Sequence, residues 1–143
     1  MNDTLTLLTT LFQSVQYCQT EICDCMDAAS QESLLRTLAL HAEEADALES
    51  EIRAKAQQLG LYFDGLPPIS HLLSIGLTRI KLHFRNTDSF IAELLIRTVT
   101  NSMIQIQKKC NSLQTEYDPH AELLVQRFLG YASATIRNMR EYL

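Results

Sequence analysis

The sequence predicts an all-α four-helix bundle of up-down-down-up connectivity, with an additional short helix in the crossover between the second and third long helices. Three observations predict it. Apolar residues recur at alternating steps of three and four along four long stretches, the spacing of helices laid against a common core. Gly and Pro are scarce, with 4 and 3 in 143 residues, and Trp is absent, whereas Leu, Ala, Glu, Gln and Ile dominate, as in helical proteins. The chain has one real break, Gly60–Pro68, which divides the long stretches into two pairs. A chain of this length makes one domain, 1–143, that buries about two thirds of its unfolded surface.

The first helix is expected over 3–28, capped by Asn2 or Asp3. Its stripe is Leu8, Leu11, Val15, Cys18, Ile22, Cys25 and Ala29, with Leu5, Phe12 and Met26 widening one flank. Tyr17, Glu21 and Asp24 form a row on the far side that reads as a solvated face. Ser30 is the expected cap of the second helix, 31–59, so the connection is almost nothing and forces an antiparallel hairpin. That helix carries Leu34, Leu38, His41, Ala45, Leu48, Ile52, Ala56 and Leu59 inward. Gly60 is placed as its left-handed stop, with Leu61 closing the end hydrophobically.

Beyond the turn at Asp64-Gly65 and the extended Pro67-Pro68, a shorter amphipathic helix is expected over 69–85. It is short and weakly basic, which favours a helix covering the bundle over one lying on a membrane. Asn86-Thr87-Asp88 caps the third long helix, 88–115, whose stripe is Ile91, Leu95, Val99, Ser102, Ile106, Cys110 and Leu113. Asp118-Pro119 starts the last, 119–142, with Ala121, Leu124, Phe128, Tyr131, Ala132, Thr135, Met139 and Tyr142 inward. A crossover of 28 residues, 60–87, is long enough to return along the bundle, so that the third helix runs parallel to the second.

Charge and motifs exclude several function classes. The formal charge is −5 with dispersed basic residues, which argues against a nucleic-acid groove. No apolar run approaches the roughly 20 residues of a membrane span. The start MNDTLTLL has an early acid and no basic region, so no signal peptide is expected, and the four cysteines read as reduced thiols of a cytoplasmic protein. The glycines are isolated, so no phosphate loop is present, and no catalytic Ser/His/Asp arrangement stands in a strand-turn-helix context. Cys18 activated by His41 as a nucleophile lacks an orienting group, so no enzyme is expected.

The step around Ser30, the segment HAEEADALESEIRAKAQQLG and the crossover ending in RNTDSFIAELLIRTVT resemble a bacterial ferritin-like family of four-helix-bundle proteins of unknown function. Asp88, Ile91, Glu93 and Arg97 match the family's acidic cap, apolar residue, Glu and Arg after the crossover, and Pro119 fits its last helix. The resemblance covers nearly the whole chain and implies a ferritin-like bundle with a helical crossover.

The chemistry of that superfamily makes a definite demand. A di-iron centre needs Glu-x-x-His on two helices and a Glu from each of the others. No Glu-x-x-His occurs; the nearest is the reversed His41-x-x-Glu44, with Glu44 about 85° off the stripe centre. Counting from the Ser30 turn places Cys18, His41, Val99 and Thr135 or Ile136 in one layer, near where the resemblance implies metal ligands. His41 then reads as a neutral core histidine hydrogen-bonded to Ser102, Thr135 or water. The alternative is a non-standard transition-metal site of His41 and Cys18, with Glu21 or Glu44 as third ligand. Cys18, Cys25 and Cys110 read as small buried hydrophobes and Cys23 as partly exposed; His71, His83 and His120 read as surface residues. Apolar residues off the stripes (Ile75, Leu82, Leu94, Ile96, Ile104, Leu129 and Ile136) exceed what one core buries. They point to a protein partner, most simply a second copy of the chain.

Overall fold

In a computed structural model, residues 2–63, 87–113 and 117–143 are described. They form four α-helices and no strand: α1 (Asn2–Ala28), α2 (Glu32–Gln58), α3 (Asp88–Ser112) and α4 (Pro119–Arg140). The short helix expected over 69–85 lies outside the described residues, as do Ile75, Leu82, His71 and His83.

Each helix forms along its apolar stripe, α3 ending at Ser112 rather than at 115 and α4 at Arg140 rather than at 142, and its ends are set by local chemistry. α2 ends as expected: Gly60 takes φ +83°, its N–H reaching Gln57 O at 3.0 Å and that of Leu61 reaching Ala56 O at 2.8 Å. These two bonds satisfy carbonyls that the helix leaves open, and only glycine adopts that backbone without strain. α4 opens on Asp118, whose carboxylate accepts the N–H of His120 at 2.7 Å ahead of Pro119. α3 opens on Thr87, whose hydroxyl accepts the N–H of Phe90 at 3.2 Å.

The start of α2 differs from expectation. Ser30 is not its cap; Gln31 holds that position, and its side chain caps nothing. Asp88, at the start of α3, holds the link just ahead of the helix instead: its carboxylate accepts the N–H groups of Ser30 at 2.8 Å and Gln31 at 2.9 Å. An acid placed in the sequence as a local cap therefore serves a turn more than fifty residues away.

Contacts at the helix ends fix the chain directions. The Asp88 bonds put the start of α3 beside the α1–α2 link. Asp118 N–H donates to Thr4 at 3.0 Å and Lys55 pairs with the Asp118 carboxylate at 3.0 Å, so α4 starts where α1 starts and α2 ends. Tyr142 donates to Ser33 at 3.0 Å, closing the far end. α1 and α4 therefore run one way, and α2 and α3 the other. α1 packs against α2 and α3, and α4 does likewise, which leaves α2 and α3 on opposite corners.

Two readings of the core are corrected. The row Tyr17, Glu21, Asp24 is not a solvated face, for Glu21 is 1% exposed and the other two are half-buried. α1 touches three helices, and its buried arc widens to include Leu7, Ser14 and Glu21, seven residues apart, with half-buried Ala28 completing the row. Leu94, off the expected stripe, is buried in the core rather than surplus to it. After α2, Phe63 folds back to stack on Phe12 with centroids 4.0 Å apart. Arg53 lies over the Phe12 ring at 4.9 Å and donates to Phe63 O at 3.3 Å.

Candidate functional site: the buried layer around His41

His41 points inward from the first half of α2 because its position belongs to the apolar stripe, and it is 1% exposed. A buried imidazole must use both nitrogens. Nε2 lies 3.0 Å from the Asn138 amide nitrogen, and Nδ1 lies 3.4 Å from Thr135 Oγ1 and 3.6 Å from Glu44 Oε2. An amide nitrogen can only donate, so Nε2 accepts and the ring proton is inferred to sit on Nδ1. Thr135 donates its own hydroxyl proton to Tyr131 O at 2.9 Å, which leaves its lone pairs for that N–H. The ring meets Tyr131 edge-on at 6.0 Å between centroids.

Burial pushes the His41 pKa below its ordinary value, and the nearby Glu44 carboxylate recovers only part of the shift. At neutral pH the ring is therefore uncharged.

Across the layer, the Cys18 thiol is 3.8 Å from Ser102 Oγ. Burial raises its pKa to about 12 against the opposing Ser102 contact, with the Glu21 charge adding to the rise. This thiol is not a nucleophile near neutral pH.

The four candidate ligands are brought together only in pairs. His41 and Glu44 meet on α2, and Cys18 and Glu21 lie one turn apart on α1, close enough for the charge of Glu21 to act on the thiol. Among the described residues, no group of three or more His, Cys, Asp or Glu side chains is placed to hold an ion. The layer expected as Cys18, His41, Val99 and Thr135 is buried as expected. Its polar partner on α3 is Ser102, which engages Cys18 rather than His41. Asn138 escaped the sequence reading; its signal was its place one turn after Thr135, beside the stripe residue Met139. Of the other thiols, Cys25 is buried, Cys23 exposed and Cys110 half-buried. His120 is exposed, as expected.

Beside the layer, a groove of about 360 Å³ opens between α2 and α4, floored by Ala47, Gly130, Tyr131 and Ala134 and flanked by Glu44 and Arg127. Arg127 is already engaged by Glu51. Glu93 and Arg97, two of the residues carrying the family resemblance, pair with each other on the surface, while Asp88 and Ile91 are buried. No family model, no curated protein and no solved structure matches the chain.

Proposed function

We propose that this chain is a ferritin-like four-helix bundle without di-iron chemistry, which acts through protein–protein contacts and does so as a homo-oligomer of the cytoplasm. The observation that carries this reading is the use of the buried layer around His41. The ring of His41 is engaged by Asn138 and Thr135 of α4, and Cys18 by Ser102 of α3. These polar groups serve one another and tie helices together. A di-iron centre asks the same region for paired Glu-x-x-His motifs and two further glutamates. The shared direction of α2 and α3 on opposite corners supports the ferritin-like connectivity, and the free thiols suit a reducing compartment.

A role in contacts draws on the large apolar side chains left outside the core, Leu40 at 52%, Ile104 at 46% and Leu123 at 57% exposed. Ile96, Leu129 and Ile136 remain half-buried. Sedimentation velocity over a wide concentration range tests the reading. The expected species is larger than the 16.3 kDa chain, and Leu40→Glu, Ile104→Glu or Leu123→Glu shifts it towards the monomer. A strict monomer at the highest concentration overturns the oligomer.

A further inference from the structure

We propose that His41 and Asn138 form a proton-operated latch that holds α2 to α4 and slackens on acidification. The latch rests on the geometry of one hydrogen bond. The Asn138 amide nitrogen stands 3.0 Å from His41 Nε2, an arrangement that holds only while Nε2 is an acceptor. A proton taken up by the ring goes to Nε2, and two donors then face each other. The contact survives only if the Asn138 amide turns over to present its oxygen, or if α4 withdraws.

The other groups facing His41 do not carry the contact through protonation. On α2, Glu44 stands at 3.6 Å from Nδ1, so it steadies the cation from the far side of the ring and leaves the Nε2 conflict untouched. On α4, Thr135 accepts at Nδ1 in either state, and the Tyr131 phenol, its pKa raised by burial, stays neutral. On α1, the Cys18 thiol is neutral as well, with Glu21 one turn further on. On α3, Ser102, which meets the Cys18 thiol, carries no charge.

The remaining ties along this seam are Ser33–Tyr142 at one end and Glu51–Arg127 and Lys55–Asp118 towards the other. None of these ties uses the His41 ring, so they hold α2 to α4 when the latch slackens.

The sign follows from linkage. A histidine whose folded pKa is depressed takes up protons more readily when unfolded. Its contribution is complete above the ordinary histidine value of about 6.5. That contribution declines as pH falls from there to the folded pKa, and is constant below it.

Titrating the intact protein by NMR between about pH 8 and about pH 5 tests the latch. The expected results are a His41 ring pKa below the ordinary value, and an Asn138 side-chain amide resonance that shifts with the same midpoint. Amides of α4 around Thr135 should lose protection from hydrogen exchange over the same range. Asn138→Asp supplies an acceptor at Nε2; it should move the His41 pKa upward and abolish the loss of protection. Glu44→Gln should move the pKa further down. A His41 ring that titrates at or above the ordinary value in the native protein overturns the proposal. So does an Asn138 resonance indifferent to that titration, or unchanged acid behaviour in the Asn138→Asp variant.

Discussion

The carboxylate of Asp88 accepts two backbone N–H groups of the α1–α2 link, from Ser30 and Gln31. Bonds of this charge-assisted kind contribute about 1.5–3 kcal/mol each, and removing the carboxylate leaves both donors of the link without their acceptor. Burial by itself pushes the Asp88 carboxyl up, but the Ser30 and Gln31 N–H groups outweigh it and hold its pKa below the usual range. A depressed folded pKa gives stability that is complete above the unfolded value, about 3.9 for Asp, and is lost as pH falls through the folded one. Asp88→Asn should therefore cost about 2 kcal/mol at neutral pH and flatten the most acidic part of the stability profile. Urea unfolding of both proteins at several pH values checks this, and an unchanged acid limb counts against the assignment. As pH falls, the loss due to His41 begins at about 6.5 and that due to Asp88 at about 3.9. The sequence marked Asp88 as an acid at a helix start; it did not show the distant turn that takes the carboxylate, because that partner exists only once α3 docks beside the α1–α2 link.

At the scale of the helix, two glycines make opposite predictions. Gly60 ends α2 at φ +83°, and a side chain there strains the backbone whatever the surrounding space, so Gly60→Ala should destabilise by about 1–2 kcal/mol. Gly130 sits inside α4, where an added Cβ meets nothing within 4 Å. Gly130→Ala should stabilise by about 0.5–1 kcal/mol through helix propensity and reduced freedom of the unfolded chain. Thermal unfolding of the two variants beside the parent should move the midpoint in opposite directions; a shift of the same sign in both rejects the local account. The helices were legible because their apolar steps repeat over many turns, and Gly60 and Asp118-Pro119 were legible because end chemistry is local. The row Leu7, Ser14, Glu21 was not. Its burial depends on how many neighbours surround α1, and a glutamate in a helical stripe carries no sign of that number.

At the scale of the molecule, the link of a few residues between α1 and α2 made their antiparallel pairing legible, and the length of the 60–87 segment allowed α3 to start at the end where α2 starts. The layer around His41 was legible for the same reason, since counting from a tight turn gives the level of each residue. Asn138 was hidden because a polar residue at a stripe edge faces core or solvent according to helix rotation, which spacing alone leaves open. That layer also gives a probe of the whole bundle. Cys18 and Cys25 are both fully buried; burial raises the Cys18 pKa to about 12 and displaces Cys25 in the same direction. The thiolate is the reactive form, so both are protected twice, by access and by protonation. Cys23 on the same helix is exposed; its pKa rises through partial desolvation and then the charges of Asp46, Asp24 and Asp27, which slows its reaction without hiding the sulfur. Treated with a maleimide in native buffer and followed by peptide mass spectrometry, the protein should label Cys23 first and half-buried Cys110 next. Cys18 and Cys25 should wait for openings that release α1 from its neighbours, so their rates should rise together with denaturant and extrapolate to the global unfolding free energy. Labelling of Cys18 at the rate of Cys23 without denaturant would mean that the layer opens locally. Combined with acid, the same experiment sets the latch against the bundle. If α4 slackens over α2 while α1 stays packed, Cys18 should keep its protection through the pH range in which His41 titrates.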